Sequence, residues 1–427
     1  MITRRDLVRA VQRERRAADW VIIERVREVA IVDQLRKLTR RETRTSFSIV
    51  LHVDSALGRG TTRLTVDAGQ GSAPAVISRA LSLATAAVGP TWRSVPPAAP
   101  AQVEVLDESL PKDLGEAAAA LVGIATGKVR ARAQVVREAS AIQAKSGFHD
   151  EWTASELRIE ALVSEGERSM ELVREARRLS DLVDPADPDA MPAAIASAIT
   201  DLGAIRGATA APAIDDPVDL VLGSEAMLHG DDLGVWSVFA LQADAALERQ
   251  GLTRYRLGAP IVPGAAQVAE PLTITSDGAI DHALRSAPVG EEGDAVRKFD
   301  LVERGVAAGL ALTMREAALR GSDPNGGIRN LVIAPGTWDG TPRGRTIDVR
   351  RLRALSIDPY TGDASLEIAL AFDDGRPFAG GTIRVDLIAA LARARRRKSD
   401  RPFNRPIRRG AYIGPPAVLI EGAELLA

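Results

Sequence analysis

The sequence predicts an α+β fold: an N-terminal α/β half with antiparallel-rich sheets and packing helices, then a C-terminal, mainly β half with a few helices. Three observations carry this. Long β-branched segments alternate in-out and break at Gly, Asp and Ser; Ala-rich segments repeat apolar residues at helical spacing; Pro-rich stretches at 89–102 and 184–192 separate them. Residues 1–210 are expected to form the N-terminal domain, as two subdomains of about 1–95 and 103–210, and residues 211–427 the β-rich C-terminal domain.

In chain order, Ile2, Leu7, Val8 and Val11 share one face of a short amphipathic helix with a basic outer side. "WVIIERVREVAIVD" and "RTSFSIVLHVDSALGRGTTRLTVDAG" read as antiparallel strands, with Asp-Ser and the Gly58-Arg59-Gly60 stretch as turn chemistry. Ser72 is placed to cap a helix carrying Ile77, Leu81, Ala84 and Val88. After the Pro-rich connection, further Ala-rich helices are expected over about 113–125 and 192–206. Between them lies an alternating segment with a hairpin turn at Glu165-Gly166. From 216 onward strands dominate ("VDLVLG", "PLTITSDG", "IRNLVIAPG", "ASLEIALAFDDG", "PPAVLIEGAELL"), with helices expected at about 231–250 and 300–320.

Composition narrows the function. Hydrophobic residues make up 45% and charged ones 26%, the balance of a globular chain. No run approaches the roughly 18 apolar residues that cross a bilayer, and the start is charged throughout, so a cytoplasmic location and no membrane partner are expected. With no cysteine and four histidines (His52, His149, His229, His282), thiolate metal sites are ruled out and a closed structural zinc site is not expected. A net charge of -2 offers no global field for nucleic acid. One local exception, residues 392–409, holds nine Arg or Lys and is read as a solvated helix end and loop.

The stretch "LGSEAMLHGDD" (222–232) has the spacing of a zinc-peptidase motif in which two imidazoles on adjacent helical turns bind the ion and the intervening Glu accepts a proton from its water. Here Ser224 stands where the first imidazole would be, followed by Glu225 and His229. A strand-like segment leads into it and a helix-like one follows, with Asp231, Asp232 and Asp244 nearby as either cation ligands or helix caps.

Further motifs follow in order: "RKFDLVERGVAAGLALTMREAALRGSDPNGGIRNLVIAPG" (297–336), "IDPYTGDASLEI" (357–368) and the closing "GPPAVLIEGAEL". With the "GRG" stretch and "AVGPTWRSVPP" before them, they make the chain resemble the TldD/PmbA (TldD and TldE) metallopeptidase family over nearly its whole length. That resemblance implies a His-Glu-Ala-x-x-His motif in the catalytic branch, with zinc completed by a downstream cysteine. Laid on this chain, the motif retains Glu225, Ala226 and His229, while Ser224 replaces the first histidine and the cysteine is absent. The implied role is a TldE-like, non-catalytic subunit that shapes a chamber and binds extended peptide for processing. Zinc then belongs to a TldD-like partner, and none is expected in this chain.

Two alternatives stay open: a self-associating pseudopeptidase that binds peptide or protein without hydrolysis, and an active hydrolase with a rebuilt site. The latter would use Glu225 as base and His229 with Asp231, Asp232 or His282 as ligands. Candidate substrate contacts are Arg329 and Asn330, with Arg297 and Lys298 before the 300–320 segment, and exposed strand edges of the C-terminal half.

Overall fold

The structure, a computed structural model, describes residues 1–34, 38–95, 99–214, 216–229, 234–342, 344–399 and 401–426. The N-terminal half contains α1 (Arg4–Gln12), β1 (Asp19–Asp33), β2 (Leu38–Ser55), β3 (Gly58–Asp67), α2 (Ala73–Ala86) and β4 (Val88–Gly89). It continues through α3 (Leu114–Gly123), β5 (Val129–Ala144), β6 (His149–Glu165), β7 (Arg168–Ala176), α4 (Ser180–Val183) and α5 (Met191–Arg206). All seven strands form one sheet, β4-β3-β2-β1-β5-β6-β7. β1 and β5 pair antiparallel from Val21↔Ala144 to Asp33↔Arg132, so the sheet is continuous across the Pro-rich connection.

Alternation along the strands sets the layers. On one face of β1, Trp20 and Ile22 join the cluster beneath α1 and α2, with Ile77, Leu81 and Ala84 from α2. On the other face Val21 and Ile23 pack with Ile142 and with Val289 from the C-terminal half. Farther along, α3 and α5 cover β5 to β7 through Leu121, Val135, Ile159 and Ile195. The "GRG" stretch is the start of β3 rather than a turn. A Cβ on Gly60 would lie 1.8 Å from the Ala84 carbonyl oxygen, so that glycine admits the end of α2 onto the strand.

The C-terminal half opens with β8 (Thr209–Ala210), β9 (Val218–Gly223), α6 (Ser224–Met227), α7 (Ser237–Gln242), α8 (Ala245–Arg249) and β10 (Ile274–Asp277). β11 (Phe299–Glu303), β12 (Val306–Ala307), α9 (Met314–Arg320), β13 (Asn330–Ile333), β14 (Thr346–Ile357) and β15 (Asp363–Asp373) follow. The remainder is β16 (Arg376–Ala379), β17 (Thr382–Asp386), α10 (Leu387–Arg393), β18 (Arg395–Arg396), β19 (Phe403–Ile407), β20 (Gly410–Gly414) and β21 (Ala417–Leu426). Six strands make the sheet β12-β11-β10-β13-β20-β19. In the other sheet β14-β9-β21-β17-β15 closes into a ring through the β14–β15 pairing, which removes its edges, with β16 and β8 extending from β15. One large core serves both sheets, with Trp236, Phe239, Tyr412 and Leu331 among its buried members.

Two expected helices differ. The 231–250 helix is two short ones, because Asp244 interrupts it and caps α8, its carboxylate accepting from the Ala246 and Leu247 amides at 2.9 and 3.1 Å. The first part of 300–320 is the β11–β12 hairpin, and only 314–320 is helical. Arg304 and Gly305 both have positive φ (48° and 80°), which suits the two-residue hairpin turn between Glu303 and Val306. Among the described residues, no helix is long and apolar enough to cross a membrane.

Candidate functional site

The motif falls where β9 ends and α6 begins, between the two halves. Ser224 lines a large cleft of about 1490 Å³, and Glu225 turns behind it into the junction. There its carboxylate accepts from three guanidinium groups. Arg174 of β7 (2.5 Å) and Arg405 of β19 (2.8 Å) donate to Oε1, and Arg351 of β14 (2.9 Å) donates to Oε2. Two further carboxylates complete the cluster: Asp201 of α5 takes Arg351 Nε at 2.7 Å, and Asp189 takes Arg405 Nε at 2.5 Å. Three arginines thus meet three acids, and the six charges cancel.

Burial alone would raise the Glu225 pKa; Arg405, Arg174 and Arg351 outweigh it and hold the carboxyl far below its usual range. Such a carboxylate is a poor general base, because taking a proton would surrender three charge-assisted hydrogen bonds. It is also a poor cation ligand, since three fixed positive charges occupy the space around it. His229 lies half-buried one turn on, and burial, with Arg351 second to it among the lowering effects, lowers its pKa against a hydrogen bond to the Arg353 backbone.

The described residues of the rebuilt-site alternative do not form a metal-binding group. Asp231 and Asp232 lie outside the described residues. His282 sits in a loop with φ 56°, its Nε2 3.4 Å from Glu104 of the N-terminal half. Among the described residues, no group of three or more His, Asp or Glu is arranged to hold a metal ion. Among the described residues, the donor set at Glu225 does not fit zinc, its carboxylate being taken by three guanidinium groups.

The other candidate contacts are scattered. Asn330 is fully buried: its Nδ2 donates to the Asp277 carbonyl (2.7 Å) and Ser286 Oγ (3.0 Å), and its Oδ1 accepts from the Arg285 amide (3.0 Å). Arg329 donates to the Gly326 carbonyl at 3.1 Å, and burial lowers its pKa. Arg297 forms an exposed pair with Asp323 at 3.1 Å, and Lys298 is exposed. None of the four lines the cleft. The outward amide of Asn404, on the edge strand β19, is already taken by Asp189 at 3.1 Å.

The basic stretch 392–409 is divided among three tasks. Arg396 is buried and donates to the Ala334 carbonyl at 2.9 Å, Arg405 joins the Glu225 cluster, and Arg397, Lys398 and Arg401 reach the cleft. Sequence reading missed the cleft, because its walls come from β9, β14, β15 and residues 338–342, 344, 397–399 and 401–403, far apart in the chain.

With this geometry in place, the comparison with known proteins is informative. Residues 231–425 match the PmbA/TldA metallopeptidase C-terminal domain. That C-terminal region is of the TldD/PmbA family. The fold extends the likeness to the full length of solved TldD/PmbA-like structures. TldE from Thermococcus kodakarensis superposes with a TM-score of 0.72 at 16% identity, over 99% of this chain and all (100%) of that one. A protein from Bacteroides thetaiotaomicron, named as a candidate modulator of DNA gyrase, gives 0.73 at 16% identity over 99% and 97% of the two chains. Another so named, from Thermotoga maritima, gives 0.69 at 15% over 96% and 95%. No protein of curated function matches the chain.

Proposed function

We propose that this chain is a TldE-like, non-catalytic subunit of a heteromeric TldD/TldE-type zinc metallopeptidase, working in the cytoplasm and binding extended peptide while a TldD-like subunit supplies zinc. The observation that carries the reading is the state of Glu225. At the position of the family's catalytic glutamate, this chain has a carboxylate committed to three arginines, next to Ser224 in place of an imidazole. The match of residues 231–425 to the PmbA/TldA metallopeptidase C-terminal domain and a fold shared over full length with TldE support it. The cleft beside Ser224, about 1490 Å³, offers the volume for a peptide segment at the place where the motif surfaces.

Co-expression with a TldD-like protein from the same source tests the reading. The expected result is a stable complex that cleaves peptides, with about one zinc per TldD-like subunit and none in this chain purified alone. Stoichiometric zinc and peptidase activity in the isolated chain would overturn it.

A further inference from the structure

The cleft has a charge imbalance. Among the described residues, six basic side chains line it against three carboxylates, Asp348, Asp373 and Asp374. Two of the bases are neutralised: Arg345 pairs with Asp373 at 2.5 Å and Arg350 with Asp348 at 2.8 Å. The other four, Arg376, Arg397, Lys398 and Arg401, have no carboxylate within ion-pair distance among the described residues, and all four are exposed. Two are nevertheless positioned. Arg401 donates to the Ala186 carbonyl at 3.1 Å, and the Arg397 guanidinium lies over Gly340, where a Cβ would come within 3.3 Å of its Nε.

A protein of net charge -2 that places four cations without a carboxylate partner, among the described residues, around one cleft has a local field rather than a global one. We propose that this cleft selects extended peptide segments rich in Asp and Glu, whose carboxylates meet Arg376, Arg397, Lys398 and Arg401. The inference rests on the peptide-binding reading above and specifies its substrate class. A nucleic acid fits less well, because a phosphate backbone carries a charge at every residue and would run against Asp348, Asp373 and Asp374, whereas carboxylates spaced along a peptide can avoid them. Phe372 and Phe403 on the walls add apolar surface for the side chains between.

The test is fluorescence anisotropy on the full chain with three labelled peptides of equal length, sharing an Ala/Ser framework and carrying alternate Glu, Gln or Lys, plus an oligothymidylate. The Glu peptide is expected to bind about tenfold more tightly than the Gln peptide, with the gap closing as salt rises. In R397A/K398A/R401A the gap should also close; R376A, on another wall, is a second variant that narrows it without touching that segment. Equal binding of the Glu and Gln peptides, unchanged in both variants, overturns the selectivity and leaves the peptide-binding reading standing. Failure of all three peptides to bind overturns both. Tighter binding of oligothymidylate than of the Glu peptide overturns the substrate class.

Discussion

The two faces of the Ser224–Glu225 step put the same side chain to opposite uses. Behind it, Arg174, Arg351 and Arg405 are buried and each carries a carboxylate partner; in front, Arg376, Arg397 and Arg401 are exposed with none among the described residues. A buried guanidinium must be paired or it destabilises the fold, so the inner arginines hold two halves together and are unavailable to a ligand. An exposed one needs no partner and stays free for a substrate. Arginine content says little by itself; burial and pairing decide which task a given arginine performs.

Breaking the inner side should have the largest effect. E225Q leaves three buried guanidiniums facing a neutral amide, and we expect a loss of about 3–5 kcal/mol in unfolding free energy, read from the denaturant midpoint. A catalytic glutamate would behave oppositely, losing activity with stability kept, so this variant sharpens the contrast directly. The N-terminal half offers a second buried charge test. Burial, with Arg59 beside it, pushes His52 down to about 4. Between pH 6.5 and about 4 the unfolded chain then binds the extra proton, so stability falls as pH falls, by on the order of 3 kcal/mol across the window. H52Q should flatten that part of the stability-against-pH curve. Next, N330A strips partners from the Arg285 amide, the Asp277 carbonyl and Ser286, and should cost about 2 kcal/mol while leaving peptide binding unchanged. The smallest effect on stability belongs to the outer side: R397A/K398A/R401A should stay within about 0.5 kcal/mol of the parent chain by thermal or chemical denaturation.

The same contrast explains what could be read from the sequence. Strand and helix periodicity is local, and β1, β2, β6, α2 and α5 were legible because Trp20, Ile22, Ile77 and Leu81 alternate or recur within a few residues. The β11–β12 hairpin was hidden because its apolar residues also satisfy helical spacing, and only Arg304-Gly305 marks the turn. At the site, Ser224, Glu225 and His229 were visible as a damaged motif, yet what Glu225 does depends on Arg174, Arg351 and Arg405, which lie 51, 126 and 180 residues away. No window along the chain contains them. The cleft was invisible for the same reason, although its basic segment 392–409 stood out by composition.

The closed ring also bears on how the chain reaches this state as it is synthesised. β9 begins at residue 218, but its neighbours are residues 346–349 of β14 and 417–423 of β21. Until β21 has left the ribosome, β9 and β17 each keep an unpaired edge, and the emerging C-terminal half must be shielded from pairing with other nascent chains. The N-terminal sheet, whose strands pair mostly with sequence neighbours, can complete itself long before. It would then present Arg174 on β7 in advance, leaving the later half to bring Glu225 to it.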